Sequence, residues 1–399
     1  MDRRVFLCEN ATMSDTASDY SPPRTPPSPQ PRRIGIARVL LYALIVGSFF
    51  LNLLMCGALG IFRKESDDIQ ELHYSGEEGS RSRVAIVRVE GVLMEGMTRF
   101  YIKQIEQAAR DDKVKAIVLR IDSPGGTISA SEEIHRLLMQ VRDGKMRKFP
   151  DSKSKKIIVS MGAIAASGGY YIAMPGEKIF AEKTCITGSI GVYASFPNVS
   201  KFINEHGVKF ELVRAGAIKA SGSPFHEMTP QEREPWQEMV DNAYDQFLST
   251  VEEGRANVKM TKAALRDEVL VQKQIPVRGD KGEIKRDWWG WPITVEYVRR
   301  RADGGTFTAA EALKYKLIDA IGELDDAIDA AAAAAELTKY EAITYERPPS
   351  FINSLLGVKA APFDTKLDPQ RLANGMTPRL WFLAPQADFA GILAAMGKD

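Results

Sequence analysis

The segment VAIVRVEGVLMEGMTRFYIKQIEQAARDDKVKAIVLRID, residues 84–122, decides the fold class because it contains one strand–helix–strand repeat. Residues 84–94 and 114–122 are apolar runs typical of buried strands, and residues 98–112 place apolar side chains at helical spacing. The same alternation continues downstream, with a helix predicted over 130–143 and strands over 155–162 and 178–182. Strands separated by helices indicate βαβ units, so the sequence predicts an α/β domain with a mostly parallel sheet.

Bulk composition excludes some classes of protein. The chain has 399 residues, enough for one large or two ordinary domains. Its 53 basic and 52 acidic residues leave no overall basic excess, so nucleic acid is not an expected partner. Cys8, Cys56 and Cys185 lie far apart in sequence, and three cysteines form neither a disulfide framework nor a four-cysteine zinc site.

The N-terminal region predicts a membrane anchor. Residues 39–62 form a 24-residue stretch without a charged side chain. A helix of that length spans roughly 36 Å, enough to cross a hydrocarbon core of about 30 Å. We expect the proline-rich residues 1–38 to be a disordered tail and residues 63–82 to be a polar linker. The arginines before the span give a weak charge bias that favours an inside N-terminus.

A long helix is predicted after residue 229. Thr229 and Glu232 have the spacing of a capping box, and Pro230 suits the first helical position. An apolar stripe follows at helical spacing, formed by Trp236, Met239, Val240, Ala243, Phe247 and Val251. The pattern indicates a helix that packs on the core or on a neighbouring subunit.

Residues 273–303 interrupt the regular alternation. They contain three of the five tryptophans, Trp288, Trp289 and Trp291, with eight basic and five acidic residues. The segment is interpreted as an inserted surface excursion. A small local fold with a tryptophan core is the simpler hypothesis, and contact with membrane headgroups or a partner is the alternative. The regular pattern then resumes and ends near residue 345, and no role is assigned to the extension over 346–399.

Two glycine-rich turns follow predicted strands. In RIDSPGGTIS, residues 120–129, the glycine pair can bring backbone N–H groups close to a ligand or a developing oxyanion. Neither phosphate-binding pattern, GxxxxGK[ST] or GxGxxG, is present. In GAIAASGGYYIA, residues 162–173, Ser167 is either a nucleophile at a strand-to-helix turn or an ordinary helix N-cap. The motif by itself leaves both interpretations open.

An activated serine needs a base. The chain has four histidines, none in a context prepared for catalysis, and His135 is expected on an exposed helix face. A Ser-His-Asp triad with Asp122 is therefore the weaker hypothesis. Lys219 differs from the other lysines because RAGAIKASGSPF, residues 214–225, surrounds it with uncharged residues. Such surroundings favour the neutral amine that a general base requires.

Four motifs together resemble the bacterial signal peptide peptidase A family. They are VKAIVLRIDSPGG, MGAIAASGGYYIA, TGSIGV and GSPFHEMTPQER, in this order and spacing. The resemblance covers roughly residues 84–345 and matches the short, single-domain form, which places the catalytic domain at 83–345. It implies a fold of the ClpP/crotonase type, built from repeated β-β-α units, and a membrane-anchored Ser-Lys peptidase.

Carried over by position, the resemblance assigns roles to five residues. Ser167 is the nucleophile, Lys219 the general base, and Ser189 the residue that orients the lysine, while Gly126 and Gly168 supply oxyanion-binding N–H groups. It implies a homo-oligomeric ring in which serine and lysine come from neighbouring subunits. Its substrates would be leftover signal peptides and fragments of membrane proteins, with no cofactor and no metal. The expected location is the bacterial cytoplasmic membrane, with the catalytic domain extracytoplasmic.

Two other functions fit the same fold. A crotonase-type hydratase or isomerase would use the oxyanion site on an acyl-CoA thioester, but it would leave Ser167 and Lys219 idle. A non-catalytic membrane scaffold would retain the fold after losing the nucleophile or base, and both are present. The excursion over 273–303 and the long N-terminal tail depart from the family pattern without touching a motif.

Overall fold

The computed structural model describes residues 40–52, 69–279, 282–347 and 380–383. The chain divides into two units, Met1–Glu65 and Ser66–Asp399. In the first unit, residues 40–52 form helix α1. The predicted tail over 1–38 and the rest of the predicted anchor over 39–62 lie outside the described residues. Among the helices that are described, none has both the length and the apolar character needed to cross a bilayer.

The second unit alternates strands and helices. Its described strands are β1 (Gln70–Gly76), β2 (Arg83–Glu90), β3 (Val114–Ser123), β4 (Gly125–Thr127), β5 (Lys156–Ala166), β6 (Lys178–Ala181), β7 (Ile186–Gly188), β8 (Tyr193–Ala194), β9 (Val271–Pro276), β10 (Thr294–Arg299), β11 (Thr306–Thr308), β12 (Ala320–Ile321), β13 (Glu341–Glu346) and β14 (Leu380–Leu383). Its described helices are α2 (Arg99–Arg110), α3 (Ile128–Asp143), α4 (Gly168–Tyr171), α5 (Ser200–Glu205), α6 (Pro230–Gly254), α7 (Lys262–Arg266), α8 (Ala309–Lys314) and α9 (Leu324–Ala334), with a 3₁₀ turn at Ala256–Val258.

The main sheet confirms the predicted α/β class. Its strands run in the order β1-β13-β2-β3-β5-β6-β12, with β7 pairing β5 and β11 pairing β7. Every pair from β13 through β12 is parallel, as is β5–β7, whereas β1–β13 and β7–β11 are antiparallel. A mixed α/β unit with a mostly parallel sheet fits the expected ClpP-like fold.

Helices cover both faces of this sheet, which explains why its strands are continuous apolar runs. On β2, Ala85 and Val87 join the larger core cluster, which includes Ile105 of α2 and Ile134 of α3. Alternate residues of β2 and β3 point to the opposite face and belong to a second cluster with Ile328 of α9. Both faces are therefore buried, and the carboxyl ends of the strands are left as the place for a site.

Helix α6 begins as the sequence predicts. The Thr229 side chain accepts from the Glu232 N–H and the Glu232 carboxylate accepts from the Thr229 N–H, which completes the capping box before Pro230. The apolar stripe is buried only in its C-terminal half, at Ala243, Phe247 and Val251. Met239, in the first half, is 41% exposed. The N-terminal turns of α6 therefore lie at the surface of the single chain.

Two segments differ from expectation. Strand β1 lies within the segment 63–82 that was expected to be a linker, and it pairs with β13 at the edge of the main sheet. The excursion over 273–303 forms β9 and β10, which among the described strands pair only with each other, in a two-stranded sheet. The hypothesis of a tryptophan core there is wrong, since Trp288, Trp289 and Trp291 are 82%, 70% and 71% exposed. A two-stranded sheet has no second layer against which to bury them.

Candidate active site

The carboxyl ends of three parallel strands bring the glycine-rich motifs together. Ser123 at the end of β3 is opposite Ala165 of β5, and Ala166 of β5 is opposite Gly188 of β7. Ser167 and Ser189 therefore each follow a paired residue at the same edge of the sheet. The SPGG turn begins at that edge too, as expected for ligand-binding loops in parallel sheets.

Ser167 occupies a sharp strand-to-helix turn. Its φ of 54° and ψ of −115° lie outside the regions that residues with a side chain normally adopt. The turn is held on both sides, because the Ser167 N–H donates to the Gly188 carbonyl at 2.8 Å and its carbonyl accepts from the Tyr171 N–H at 2.8 Å. Strain of this kind costs about 1–3 kcal/mol and clusters at functional sites, as in the nucleophile turns of serine hydrolases.

The Ser167 hydroxyl is not a helix cap. Ser167 precedes α4 at the N-cap position, yet its side chain makes no capping hydrogen bond. The residue is 1% exposed, and its Oγ has no hydrogen-bond partner among the described residues. A buried polar group without a partner is unusual in a folded protein and calls for an explanation. The nucleophile hypothesis supplies one, because the partner of a nucleophile is its base.

Backbone donors lie beside this turn. Gly168 opens α4, where the first N–H groups of a helix have no partner within the helix. Gly126 lies in β4, and α4 packs against β4. At Gly126 a Cβ atom would stand 1.8 Å from the Leu93 carbonyl oxygen, so only glycine fits. The structure thus places both predicted oxyanion glycines at the same edge as Ser167.

Ser189 is held in a similar way to Ser167. Its φ is 52°, it is 2% exposed, and its N–H donates to the Gly305 carbonyl at 2.9 Å. Its hydroxyl differs from that of Ser167 because it donates to the Gly304 carbonyl at 3.0 Å. The lone pairs of the Ser189 oxygen stay available to accept a hydrogen bond from an amine.

Lys219 is not joined to Ser167 within one chain. It lies on a turn over residues 217–222 and is exposed. Only its backbone N–H is engaged, with the Gly216 carbonyl at 3.2 Å, and its amine has no hydrogen bond or ion pair to any residue that the structure describes. The uncharged sequence around Lys219 therefore does not bury it in the single chain.

The loop that carries Lys219 is fixed to α6 through Glu232. This carboxylate is 1% exposed and accepts from the N–H and hydroxyl of Thr229 at 3.0 and 3.1 Å. It also bonds to His226 at 3.2 Å and forms an ion pair with Arg214. The backbone N–H of Thr229 is the largest cause that lowers the pKa of Glu232 to about 2; burial, the next largest, opposes it, and the hydrogen bonds from His226 and Arg214 add to the lowering.

A second connection lies nearer to Lys219. Ser221, two residues after the lysine, donates its hydroxyl to the Glu232 carbonyl at 2.7 Å. Its oxygen accepts in turn from the Trp236 indole N–H at 2.6 Å. Sequence reasoning identified the capping box but not that Glu232 and Trp236 also position this loop, because those contacts bridge separate segments.

Each of the four histidines contacts a residue other than Ser167 or Asp122. These contacts are His73 with Glu341, His135 with the Tyr171 ring, His206 with the Phe202 carbonyl and His226 with Glu232. The expectation of an exposed His135 is wrong, because α3 packs it against α4, and burial, then Arg142, lowers its pKa to about 4. Asp122 accepts from the Ile164 N–H. Within the described ranges, no cluster of three or more His, Cys, Asp or Glu could hold a metal ion.

A groove beside the glycine turn contains a strand from the same chain. Strand β14 lies antiparallel between β4 and β8, with Phe382 opposite Gly126 and Trp381 opposite Tyr193. The sequence did not predict a strand in the extension over 346–399. Its position demonstrates that the space between β4 and β8 accepts an extended backbone by strand addition.

The fold and the site together define a class. A serine on a strained strand-to-helix turn, with backbone donors at the carboxyl ends of parallel strands, is the arrangement of α/β serine hydrolases. Comparison with known proteins narrows the class, since residues 150–274 match the model for Peptidase family S49.

Individual relatives support the same family. A candidate protease of Synechocystis sp. is 32% identical over 280 residues, which cover 70% of this chain and 84% of that protein. A candidate signal peptide peptidase SppA of Enterococcus faecium is 30% identical, over 65% of this chain and 63% of that protein. Protease 4 of Salmonella typhi is 28% identical, over 68% of this chain but only 38% of that protein. The chain belongs to peptidase family S49, the SppA family of serine peptidases.

Proposed function

We propose that this protein is a membrane-anchored serine endopeptidase with Ser167 as nucleophile and Lys219 as general base. The observation that carries the proposal is the Ser167 hydroxyl, which is buried without a partner among the described residues, on a strained turn beside Gly126 and Gly168. Membership of a peptidase family favours this reaction over acyl-CoA chemistry and over a scaffold without activity.

The reaction follows from these roles. Neutral Lys219 accepts the Ser167 proton while the serine oxygen attacks the peptide carbonyl carbon. The resulting oxyanion is stabilised by the N–H groups of Gly126 and Gly168, and each such donor typically contributes about 3 kcal/mol. The lysine ammonium then protonates the leaving amine, which releases it and leaves an acyl-enzyme. Water, deprotonated by the lysine, hydrolyses the ester and restores the serine.

Lys219 is proposed to reach Ser167 of a neighbouring subunit. Its exposed position supports this arrangement, as does its amine, which has no partner among the described residues of one chain, and so does the exposure of Met239 in the first half of α6. Docking of a second copy would desolvate the amine and favour its neutral form. The Ser189 oxygen would accept a hydrogen bond from the amine and set its direction. The functional unit would then be a homo-oligomeric ring.

Substrates are proposed to be extended apolar peptides, such as leftover signal peptides and fragments of membrane proteins. The position of β14 between β4 and β8 supports strand addition as the binding mode. The uncharged stretch over 39–62 supports attachment to a membrane where such peptides are released. A cytoplasmic-membrane location with the catalytic domain outside completes the proposal.

Separate variants test the dyad. In the full-length protein, Ser167→Ala and Lys219→Ala should each reduce cleavage of a fluorogenic apolar peptide by about three orders of magnitude or more. Lys209→Ala is the matched control, since Lys209 is an exposed lysine on the same loop. Wild-type cleavage by either dyad variant would contradict the mechanism, and turnover of an acyl-CoA ester that survives both changes would favour the hydratase alternative. A serine-directed inhibitor should label Ser167, mapped by mass spectrometry.

Mixing the two inactive variants tests the shared site. In random co-assemblies, a Ser167→Ala subunit supplies its lysine and a Lys219→Ala subunit supplies its serine. About a quarter of the sites would then be complete, because each needs one subunit of each kind in the right order. Co-expressed variants should therefore recover activity that neither has alone. Absence of recovery in confirmed mixed oligomers would place both residues in one chain.

A further inference from the structure

The tip of the β9–β10 hairpin exposes three tryptophans. Trp288, Trp289 and Trp291 are 82%, 70% and 71% exposed, and the first two have ring centroids 3.9 Å apart. We call these three residues the tryptophan tip. Single exposed apolar residues are normal on protein surfaces, whereas three large aromatic side chains within four positions form a patch that calls for a partner.

The backbone of this region contains two turns of the same construction, eight residues apart. The Gly279 N–H donates to the Glu283 carbonyl at 2.8 Å, and the Asp287 N–H donates to the Trp291 carbonyl at 2.8 Å. In each turn an arginine guanidinium also donates to the carbonyl of the glycine four residues later, Arg278 to Gly282 at 2.9 Å and Arg286 to Gly290 at 2.7 Å.

Three backbone hydrogen bonds hold the two turns together. Val277 donates to Ile293, Ile293 donates to Lys285, and Lys285 donates to Val277, at 2.8–2.9 Å. The bonds close a ring at the base of both turns. The tip is therefore presented by a framework built from main-chain bonds rather than from aromatic packing.

The first turn is a natural control for the second. At the positions equivalent to Trp288, Trp289 and Trp291, its sequence has Asp280, Lys281 and Glu283. The described residues of this turn, Arg278, Gly279, Gly282 and Glu283, thus make the same hydrogen bonds without any aromatic residue. The tryptophans are not needed for the turn, and their exposure shows that they do not contribute to the core of this chain.

The chemistry of the tip matches a lipid interface. Tryptophan combines a large apolar ring with an N–H donor and is enriched where hydrocarbon meets headgroups. The surrounding excursion over 273–303 has a net charge of +3, and residues 277–293, which connect its two strands and carry the tip, have four basic and three acidic residues, a net charge of +1. Its positive charge complements anionic phospholipid headgroups. Two of the basic residues, Arg278 and Arg286, belong to the turns themselves.

We infer that the tryptophan tip inserts into the headgroup region of a membrane that contains anionic phospholipid. The inference concerns a surface outside the proposed catalytic residues and does not depend on the Ser-Lys chemistry. It gives a function to the tryptophans of the excursion, which do not contribute to the core of this chain. A contact of this size is weak alone, and it would act together with the anchor predicted over 39–62, because a tether raises the effective concentration of the membrane.

Quenching by brominated phospholipids tests the insertion. Full-length protein is reconstituted in vesicles of zwitterionic lipid, with or without anionic lipid, and the acyl chains carry bromine near the headgroup. We expect quenching of at least about a third of the tryptophan emission, because three of the five tryptophans of the chain lie in the tip. Quenching should be greater in vesicles that contain anionic lipid.

The key variant replaces the three tryptophans of the second turn with the residues at the equivalent positions of the first turn. Trp288→Asp, Trp289→Lys and Trp291→Glu together should leave only background quenching from the other two tryptophans. A single Trp289→Lys variant should be intermediate. Val213→Asp is the matched control, because Val213 is a 97% exposed apolar residue outside the excursion, and its quenching should equal that of wild type. A wild-type urea midpoint for the triple variant establishes that the fold is retained.

Two results would overturn the inference. One is that brominated lipid quenches the tryptophan emission of wild type no more than that of the triple variant. The other is a combination of two observations: wild-type emission is not quenched, and the triple variant changes its oligomer size, measured by light scattering in detergent. That combination would assign the tip to a contact between copies of the chain. Neither readout uses peptidase activity, so failure of this inference is distinguishable from failure of the proposed function.

Discussion

Removing the Ser167 hydroxyl should make the protein more stable. An unpaired buried polar group costs about 1–3 kcal/mol, and the Ser167 Oγ is buried without a partner among the described residues. Ser167→Ala removes that group and changes little volume. We therefore expect Ser167→Ala to raise the free energy of unfolding by about 1 kcal/mol in a Lys219→Ala background, where the proposed partner amine is absent.

Glycine at the same position adds a second effect. The left-handed φ of 54° at Ser167 costs a residue with a side chain about 1–2 kcal/mol. Glycine relieves this cost but loses about 0.5–1 kcal/mol through greater freedom of the unfolded chain. Ser167→Gly should therefore be at least as stable as Ser167→Ala, and the difference between them should be at most about 1.5 kcal/mol.

Ser189→Ala is the matched control for this prediction. Ser189 has nearly the same φ, 52°, and is equally buried, but its hydroxyl donates to the Gly304 carbonyl. Its removal should lower the free energy of unfolding by about 1 kcal/mol. The two serines thus predict opposite signs for the same chemical change.

Urea unfolding followed by circular dichroism measures these changes. With a slope of about 3 kcal/mol per M, a change of 1 kcal/mol moves the midpoint by about 0.3 M. Equal slopes for all variants would establish that the midpoints report stability. A lower midpoint for Ser167→Ala in the Lys219→Ala background than for Lys219→Ala alone would refute the reasoning, because it would mean that the hydroxyl has a stabilising partner other than Lys219.

Three further predictions concern the Lys219 loop and the groove. The pKa of Glu232 is about 2, below the ordinary 4.5. The hydrogen bonds and ion pair of its carboxylate therefore stabilise the fold fully above pH 4.5, and this stabilisation is lost as the pH falls towards 2. Glu232→Gln should lower the urea midpoint at pH 7 and leave it unchanged near pH 2. Trp236→Phe removes the indole donor to Ser221, so kcat should fall about tenfold with KM nearly constant. An unchanged kcat would mean that Trp236 does not position Lys219. Deletion of residues 380–399 opens the groove between β4 and β8, so kcat/KM for an apolar peptide should rise. A fall in kcat/KM would mean that β14 supports the site rather than occupying it.

The local sequence determined much of the fold. Apolar runs buried on both faces indicate strands of a parallel sheet, and the runs at 84–94, 114–122 and 155–162 correspond to β2, β3 and β5. The capping box at Thr229 formed as predicted, because it is a contact between residues three apart. The grouping of Ser167, Ser189 and Gly126 at one edge follows from the order of parallel strands, although the sequence alone did not exclude a plain helix cap.

Only the tertiary structure decided the state of the groups that carry function. The Ser167 hydroxyl has no partner within the part of the chain that the structure describes, and Lys219 is exposed there; both facts depend on what distant segments place around these residues. The two-stranded excursion leaves its tryptophans exposed because none of the described elements forms a layer over them, and β14 joins residues separated by more than 180 positions. Patterns of three to eight residues determine strands, helices and caps, whereas burial and partnership depend on contacts between segments far apart in the chain.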